Sequence, residues 1–211
     1  MIKKNTLYPK TERVAELGDS IMITEKIDGS NLTFYKKDGE LWIGLRKNVF
    51  PLSDLEEAKT ILYKDLYEWL KLHGENLKAS LCEGSAICGE WIAMGATQYP
   101  EGTWTKKWYM FAKANISEED KLVNIKHDHE LFIYPFEEKE IPEYLGVVPQ
   151  VTQIKELPTK AILDTIYEGY TKIVERPVEG FVMNYRGIIT KYVRMKKGKI
   201  VEYSQDDHKG E

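Results

Sequence analysis

The chain has 211 residues, 42% of them hydrophobic and 30% charged, a globular balance with enough apolar side chain for a sizeable core. Its formal net charge of −4 excludes a globally basic surface, so any nucleic-acid contact has to come from a local groove. No stretch approaches the ~20 apolar residues of a membrane-spanning helix, and the N-terminus lacks a signal-peptide core. Cys82 and Cys88 have no zinc-type spacing and read as buried free thiols of a reducing compartment. The expectation is a cytoplasmic protein with no membrane partner.

In chain order, β-prone runs at 20–25, 31–37 and 41–46 predict three strands joined by the Asp28-Gly29 and Asp38-Gly39 turns. Pro51-Leu52-Ser53-Asp54 then opens a helical stretch. Leu55, Ile61, Leu62, Leu66, Trp69 and Leu70 recur in it at helical spacing, and Ser53 or Asp54 can cap it. Residues 86–91 and 108–112 read as strands, and 131–134 as a further short one. Ile162, Leu163, Ile166, Tyr170 and Ile173 predict a second helix over 160–174. Strands at 181–184, 188–195 and 200–203 finish the chain, ahead of a polar tail at 204–211 expected to fray. Strands outnumber helices and lie next to one another in sequence, which favours an α+β fold with mainly antiparallel sheets. No linker divides the chain, so one domain over 1–211 is expected.

The octet Thr24-Glu25-Lys26-Ile27-Asp28-Gly29-Ser30-Asn31 asks for more than a turn, because Asp-Gly alone would supply that. A lysine at a strand end becomes a nucleophile only as the free amine, which desolvation or nearby cations favour. A glycine three residues on lets the backbone approach a ligand closely. A solvated hairpin lysine is the plain alternative.

Other segments carry matching chemistry. Glu90, in Ile87-Cys88-Gly89-Glu90-Trp91, ends an apolar strand where a buried carboxylate needs donors. Phe111, in Trp108-Tyr109-Met110-Phe111-Ala112, offers a flat face for base stacking, although strand aromatics also fill cores. Glu179 precedes Gly180 in Val178-Glu179-Gly180-Phe181-Val182. Arg194 and Lys196 are two apart on a strand and so share a face, as phosphate clamping requires. Leu45-Arg46-Lys47-Asn48 adds another cation.

Taken in order across residues 24–196, these segments resemble the motifs of the covalent nucleotidyltransferases, the superfamily of lysyl-AMP polynucleotide ligases and capping enzymes. The form Glu-Lys-x-x-Gly-Ser-Asn is most similar to the T4 RNA ligase 2 branch. The resemblance implies an ATP-grasp-like nucleotidyltransferase domain acting as an ATP-dependent RNA ligase. Lys26 would take AMP from ATP, pass it to an RNA 5′-phosphate, and a 3′-hydroxyl would expel it. It further implies nucleotide contacts from Glu25, Asn31, Arg46, Glu90, Phe111, Glu179, Arg194 and Lys196. Lys26, Glu179, Arg194 and Lys196 would be catalytic, with Glu179 near Mg²⁺ or a substituting Mn²⁺. The pattern departs from the family at Arg194-x-Lys196, where Lys-x-Lys is usual, and Lys191 and Lys197 leave that register open.

About 23 residues precede the motif and 15 follow Lys196. The resemblance therefore implies ATP in preference to NAD⁺ and a minimal form without an OB or other C-terminal domain. A separate end-healing enzyme is an expected companion in phage-like RNA repair. The alternatives are a DNA ligase, a polynucleotide 5′-adenylating enzyme, and a non-catalytic nucleotide- or RNA-binding module.

Overall fold

The computed structural model describes residues 3–4, 18–92, 95, 97–127, 135–138, 140–185, 188–196 and 199–200. The chain forms two compact units. The first is Met1–Lys10, Gly29–Met94 and Trp104–Val147; the second is Thr11–Asp28, Gly95–Thr103 and Val148–Glu211.

In chain order, β1 (Lys3–Lys4) belongs to the first unit and β2 (Gly18–Lys26) to the second. The chain continues in the first unit with β3 (Ser30–Lys37), β4 (Glu40–Gly44), β5 (Asn48–Pro51), α1 (Leu55–Ala58) and α2 (Leu66–Ser80). The strands β6 (Ser85–Trp91), β7 (Trp108–Ile116), β8 (Leu122–Lys126) and β9 (Gly146–Val147) complete it. The second unit resumes with β10 (Gln150–Glu156), α3 (Lys160–Val174), β11 (Gly180–Tyr185) and β12 (Ile188–Val193). A short hairpin, β13 (Met195–Lys196) and β14 (Lys199–Ile200), follows.

The first unit is one sheet in the order β1-β5-β4-β3-β6-β7-β8, antiparallel throughout, with β9 added parallel to β7. Leu32, Phe34, Ile87, Trp91, Trp108 and Met110 on one face pack under Leu66, Trp69, Leu70 and Leu77 of α2. Trp91 and Trp108 are fully buried, and each indole N–H finds a carbonyl, of Lys64 and of Leu32, both at 3.0 Å. The second unit is the antiparallel sheet β10-β2-β11-β12 with α3 on one face. Ile21, Ile23, Phe181, Met183 and Tyr192 meet Leu163, Ile166, Tyr167, Tyr170 and Val174 there. The Thr159 hydroxyl caps α3 by accepting from Ile162 N, and the left-handed Glu175 (φ 52°) ends it, which gives the bounds the spacing predicts.

The long helix expected after Pro51 is broken. Two 3₁₀ turns flank the single turn of α1, and the chain straightens at Leu62 before α2 starts behind Asp65, which takes a left-handed φ of 65°. The strands β5, β8 and β10 lie outside the sequence expectation. The strand expected at 131–134 lies outside the described residues, as does most of that expected at 200–203. Both cysteines are free; Cys88 is buried and Cys82 only half-buried.

Candidate active site

In the second unit, Lys26 ends β2. Alternation along the strand turns Ile21, Ile23 and Glu25 toward α3, and Met22, Thr24 and Lys26 to the opposite face. Gly180 stands opposite both Lys26 and Val193, and Val182 opposite both Thr24 and Lys191. Lys26 and Lys191 therefore share one face of the sheet. Gly180 must be glycine: a Cβ there would lie 2.0 Å from the Tyr192 carbonyl oxygen.

Lys26 Nζ donates to Glu179 Oε2 at 2.5 Å, with the lysine side chain 24% exposed and the glutamate 13%. Burial pushes the Glu179 carboxyl up, while Lys26 and more distantly Lys191 pull it down. The Glu179 carbonyl accepts from Arg194 N at 2.8 Å and Met195 N at 2.9 Å, so the same residue ties the turn after β12 to the lysine. Asp28 closes the other side of the loop. Its N–H donates to the Tyr99 hydroxyl at 2.9 Å, and its Oδ2 accepts from Thr97 N at 2.6 Å.

Two expected nucleotide contacts are directed elsewhere. The Glu25 side chain is wholly buried on the α3 side. Its carboxylate accepts a forked pair from Arg176, at 2.5 and 2.7 Å, and a third bond from Tyr170 at 2.7 Å. The Glu25 N–H is engaged as well, donating to the Pro149 carbonyl at 2.9 Å. The Arg194 guanidinium donates to Asp164 of α3 and to the Tyr192 hydroxyl at 3.2 Å, and lies 5.3 Å from the Tyr167 ring. It faces the helix, because Tyr192, two residues earlier, does. Lys191, which the sequence left open as an alternative register, instead shares the sheet face of Lys26. Lys196 lies in β13 beside Met195, whose amide bonds Glu179.

In the first unit, Asn31, Glu90 and Tyr109 stand directly opposite one another across β3, β6 and β7, a transverse row on the face away from α2. Gly29 leads into this row; a Cβ there would fall 2.3 Å from the Trp91 carbonyl oxygen and 2.9 Å from Glu90 Cγ. Phe111 departs from the simple alternation that would place it on the face of Tyr109. Cys88 pairs with Ala112 and Gly89 with Met110, so Phe111 is the extra residue of a β-bulge, which breaks the alternation. Its ring lies parallel to that of His127, 6.5 Å away. Burial pushes the His127 imidazole down to about 4. Arg46 is exposed in the β4–β5 connection, and its N–H donates to the Tyr63 hydroxyl at 3.1 Å.

The family model described as RNA ligase matches residues 19–196, most of the chain. The chain belongs to the RNA ligase family. Its fold is similar to an archaeal ATP-dependent RNA ligase, at 18% identity and a TM-score of 0.50, over 89% of this chain and 48% of that one. A protein of Aquifex aeolicus provisionally described as an ATP-dependent DNA ligase gives 17% identity and a TM-score of 0.51, over 89% and 49%. This RNA ligase family member thus spans about half the length of those solved structures. A search of the curated proteins finds no match. The family match encloses Lys26, Asn31, Arg46, Glu90, Phe111, Glu179, Arg194 and Lys196. Tyr63 and Arg176 are the additions that geometry makes to this set, and Lys191 is the alternative register that the sequence left open. Arg176 was hidden by its distance of 151 residues from Glu25.

Proposed function

We propose that the chain is an ATP-dependent RNA ligase that works through a covalent lysine adenylate and is a single nucleotidyltransferase domain. The observation that carries the reading is Lys26, on the last position of a strand, with Nζ 2.5 Å from the partly buried Glu179 carboxylate and Lys191 on the same sheet face. Nζ attacks the α-phosphorus of ATP. An N–P bond forms, the bond to the bridging α–β oxygen breaks, and pyrophosphate leaves. The ammonium proton has Glu179 Oε2 as its nearest acceptor, on a carboxyl whose affinity for protons burial raises. An oxygen of an RNA 5′-phosphate then displaces the lysine, giving an adenylated end. A 3′-hydroxyl attacks that 5′-phosphorus, forms the phosphodiester and expels AMP.

Lys191 and Lys196 supply positive charge for the phosphates, and Asn31 an amide donor. Glu90 receives the ribose hydroxyls, Phe111 stacks the base, and Arg46 contacts the nucleotide. Arg176, Glu25 and Tyr170 hold the strand that presents the nucleophile. Glu179 is the carboxylate that would hold Mg²⁺, a hard cation suited to a partly buried oxygen donor. Bound there the ion would offset the triphosphate charge and favour the uncharged amine. RNA carrying 5′-phosphate and 3′-hydroxyl ends is the substrate, supplied by a separate end-healing enzyme in the cytoplasm. No described helix is long and apolar enough to cross a membrane.

The test is incubation with α-labelled ATP and Mg²⁺, then with nicked duplexes of RNA, DNA and hybrids. Label on the protein that Lys26→Ala abolishes, followed by sealing that requires the 2′-hydroxyl, supports the reading. Sealing of DNA at the same rate would move the assignment to a DNA ligase. Protein without label under any metal would end it.

A further inference from the structure

Tyr63 occupies the break between α1 and α2, where the apolar spacing predicted unbroken helix. The break is held from several sides. Trp91 Nε1 donates to the Lys64 carbonyl at 3.0 Å, one residue beyond Glu90. Leu66 N returns to the Tyr63 carbonyl at 3.1 Å, and Asp65 adopts its left-handed backbone. A non-glycine residue in that region costs on the order of 1 kcal/mol or more, so the surrounding packing selects the turn over a continuous helix. The outcome of the turn is the position of one hydroxyl. Tyr63 Oη accepts from Arg46 N at 3.1 Å and donates to the Asn31 carbonyl at 2.9 Å, while its ring packs against the core under α2. The charges of Glu90 and Arg46 both act on it. One side chain thereby joins the start of β3 to the β4–β5 connection, and the Lys64 carbonyl next to it holds the end of β6.

We infer that Tyr63 is a positioning residue for the nucleotide, its hydroxyl fixing Arg46 relative to Asn31 and Glu90 before ATP arrives. The inference rests on the ligase reading. The Leu45-Arg46-Lys47 connection is short and exposed at its tip, and an arginine on it reaches one place only if its backbone is pinned. The pin is polar and the ring is packing, so the two functions separate in a Tyr63→Phe variant.

The experiment measures lysyl-AMP formation against ATP concentration in the full chain, alongside thermal unfolding. In Tyr63→Phe the KM for ATP should rise about tenfold, the loss expected when a bridging hydrogen bond goes. The kcat should change less than about twofold and the unfolding midpoint should hold. A purely structural tyrosine would move the midpoint and leave KM alone. In an Arg46→Ala background the same substitution should cost little further, because its effect passes through Arg46. If Arg46→Ala erases measurable adenylation, the split between KM and kcat in the single variant decides. Unchanged KM in Tyr63→Phe overturns the inference while leaving the ligase intact, and so does an equal effect in both backgrounds. Unfolding of Tyr63→Phe also counts against it, since the hydroxyl would then serve the core. Absence of label in the unsubstituted chain defeats the ligase reading itself.

Discussion

A nucleophilic lysine held by a carboxylate carries an internal conflict. Lys26 Nζ lies 2.5 Å from Glu179 Oε2, yet attack needs the nitrogen lone pair free. Charge alone is therefore no substitute for the amine. Lys26→Arg should keep the ion pair and an unfolding midpoint near that of the unsubstituted chain, and give no protein-bound AMP in the labelling assay. Glu179→Gln should lower the rate of adenylation at least tenfold, the lower range for losing an acid–base group, read by single-turnover quench. Glu25 poses a stability question instead. Its buried carboxylate depends on Arg176 and Tyr170, so Arg176→Ala leaves it nearly unpartnered and should cost about 3 kcal/mol in denaturant titration. Arg176→Met together with Glu25→Gln should recover part of that loss. The residues of the site divide here by legibility. Lys26, Glu90 and Glu179 were readable because short local patterns surround them. Arg176 and Tyr63 were not, because each acts through tertiary contact with no local pattern, and Lys191 entered only as an alternative register.

Elements show why a residue pattern misleads about direction. Arg194 and Lys196 were expected on one face because they are two apart, but the strand ends at Val193 and restarts at Met195, and Arg194 at the break turns to α3. There it forms a cluster with Asp164, Tyr192 and Lys160 that fastens the helix to the sheet. Lys160, then Tyr192 and Arg194, hold the Asp164 carboxyl down to about 2, from an ordinary value of 3.8. A depressed carboxyl stabilises the fold above its ordinary value, and that contribution is lost as pH falls toward its folded value. Asp164→Asn should therefore flatten the fall in stability between about pH 4 and pH 2, measured by chemical denaturation at fixed ionic strength. The helix α3 was fully legible, since its stripe, cap and stop all agree. The strand β10 was not. It is an edge strand reading Gln-Val-Thr-Gln-Ile-Lys-Glu, and edge strands carry polar residues that blur the alternation. The helix before α2 failed for the opposite reason, a sound local pattern overruled by the contacts of Trp91 and Tyr63.

At the scale of the molecule, the α+β class followed from the count and adjacency of strands, and the division into two units did not. β2 and β3 are neighbours in sequence joined by a tight turn, which reads as one hairpin, yet they belong to different sheets. The net charge of −4 bears on the polynucleotide steps. Without a general basic field, the proposed RNA engagement rests on few phosphate contacts, so sealing should fall only shallowly with added salt, with a slope set by that small number, while adenylation by ATP changes little. Comparing the two steps from low to moderate salt checks this. The central claim is tested most directly by the intact mass of the purified chain with and without ATP and Mg²⁺. A gain of one AMP on Lys26, absent from Lys26→Ala, is the result the account predicts. An unchanged mass, or a gain that survives the loss of Lys26, would contradict it.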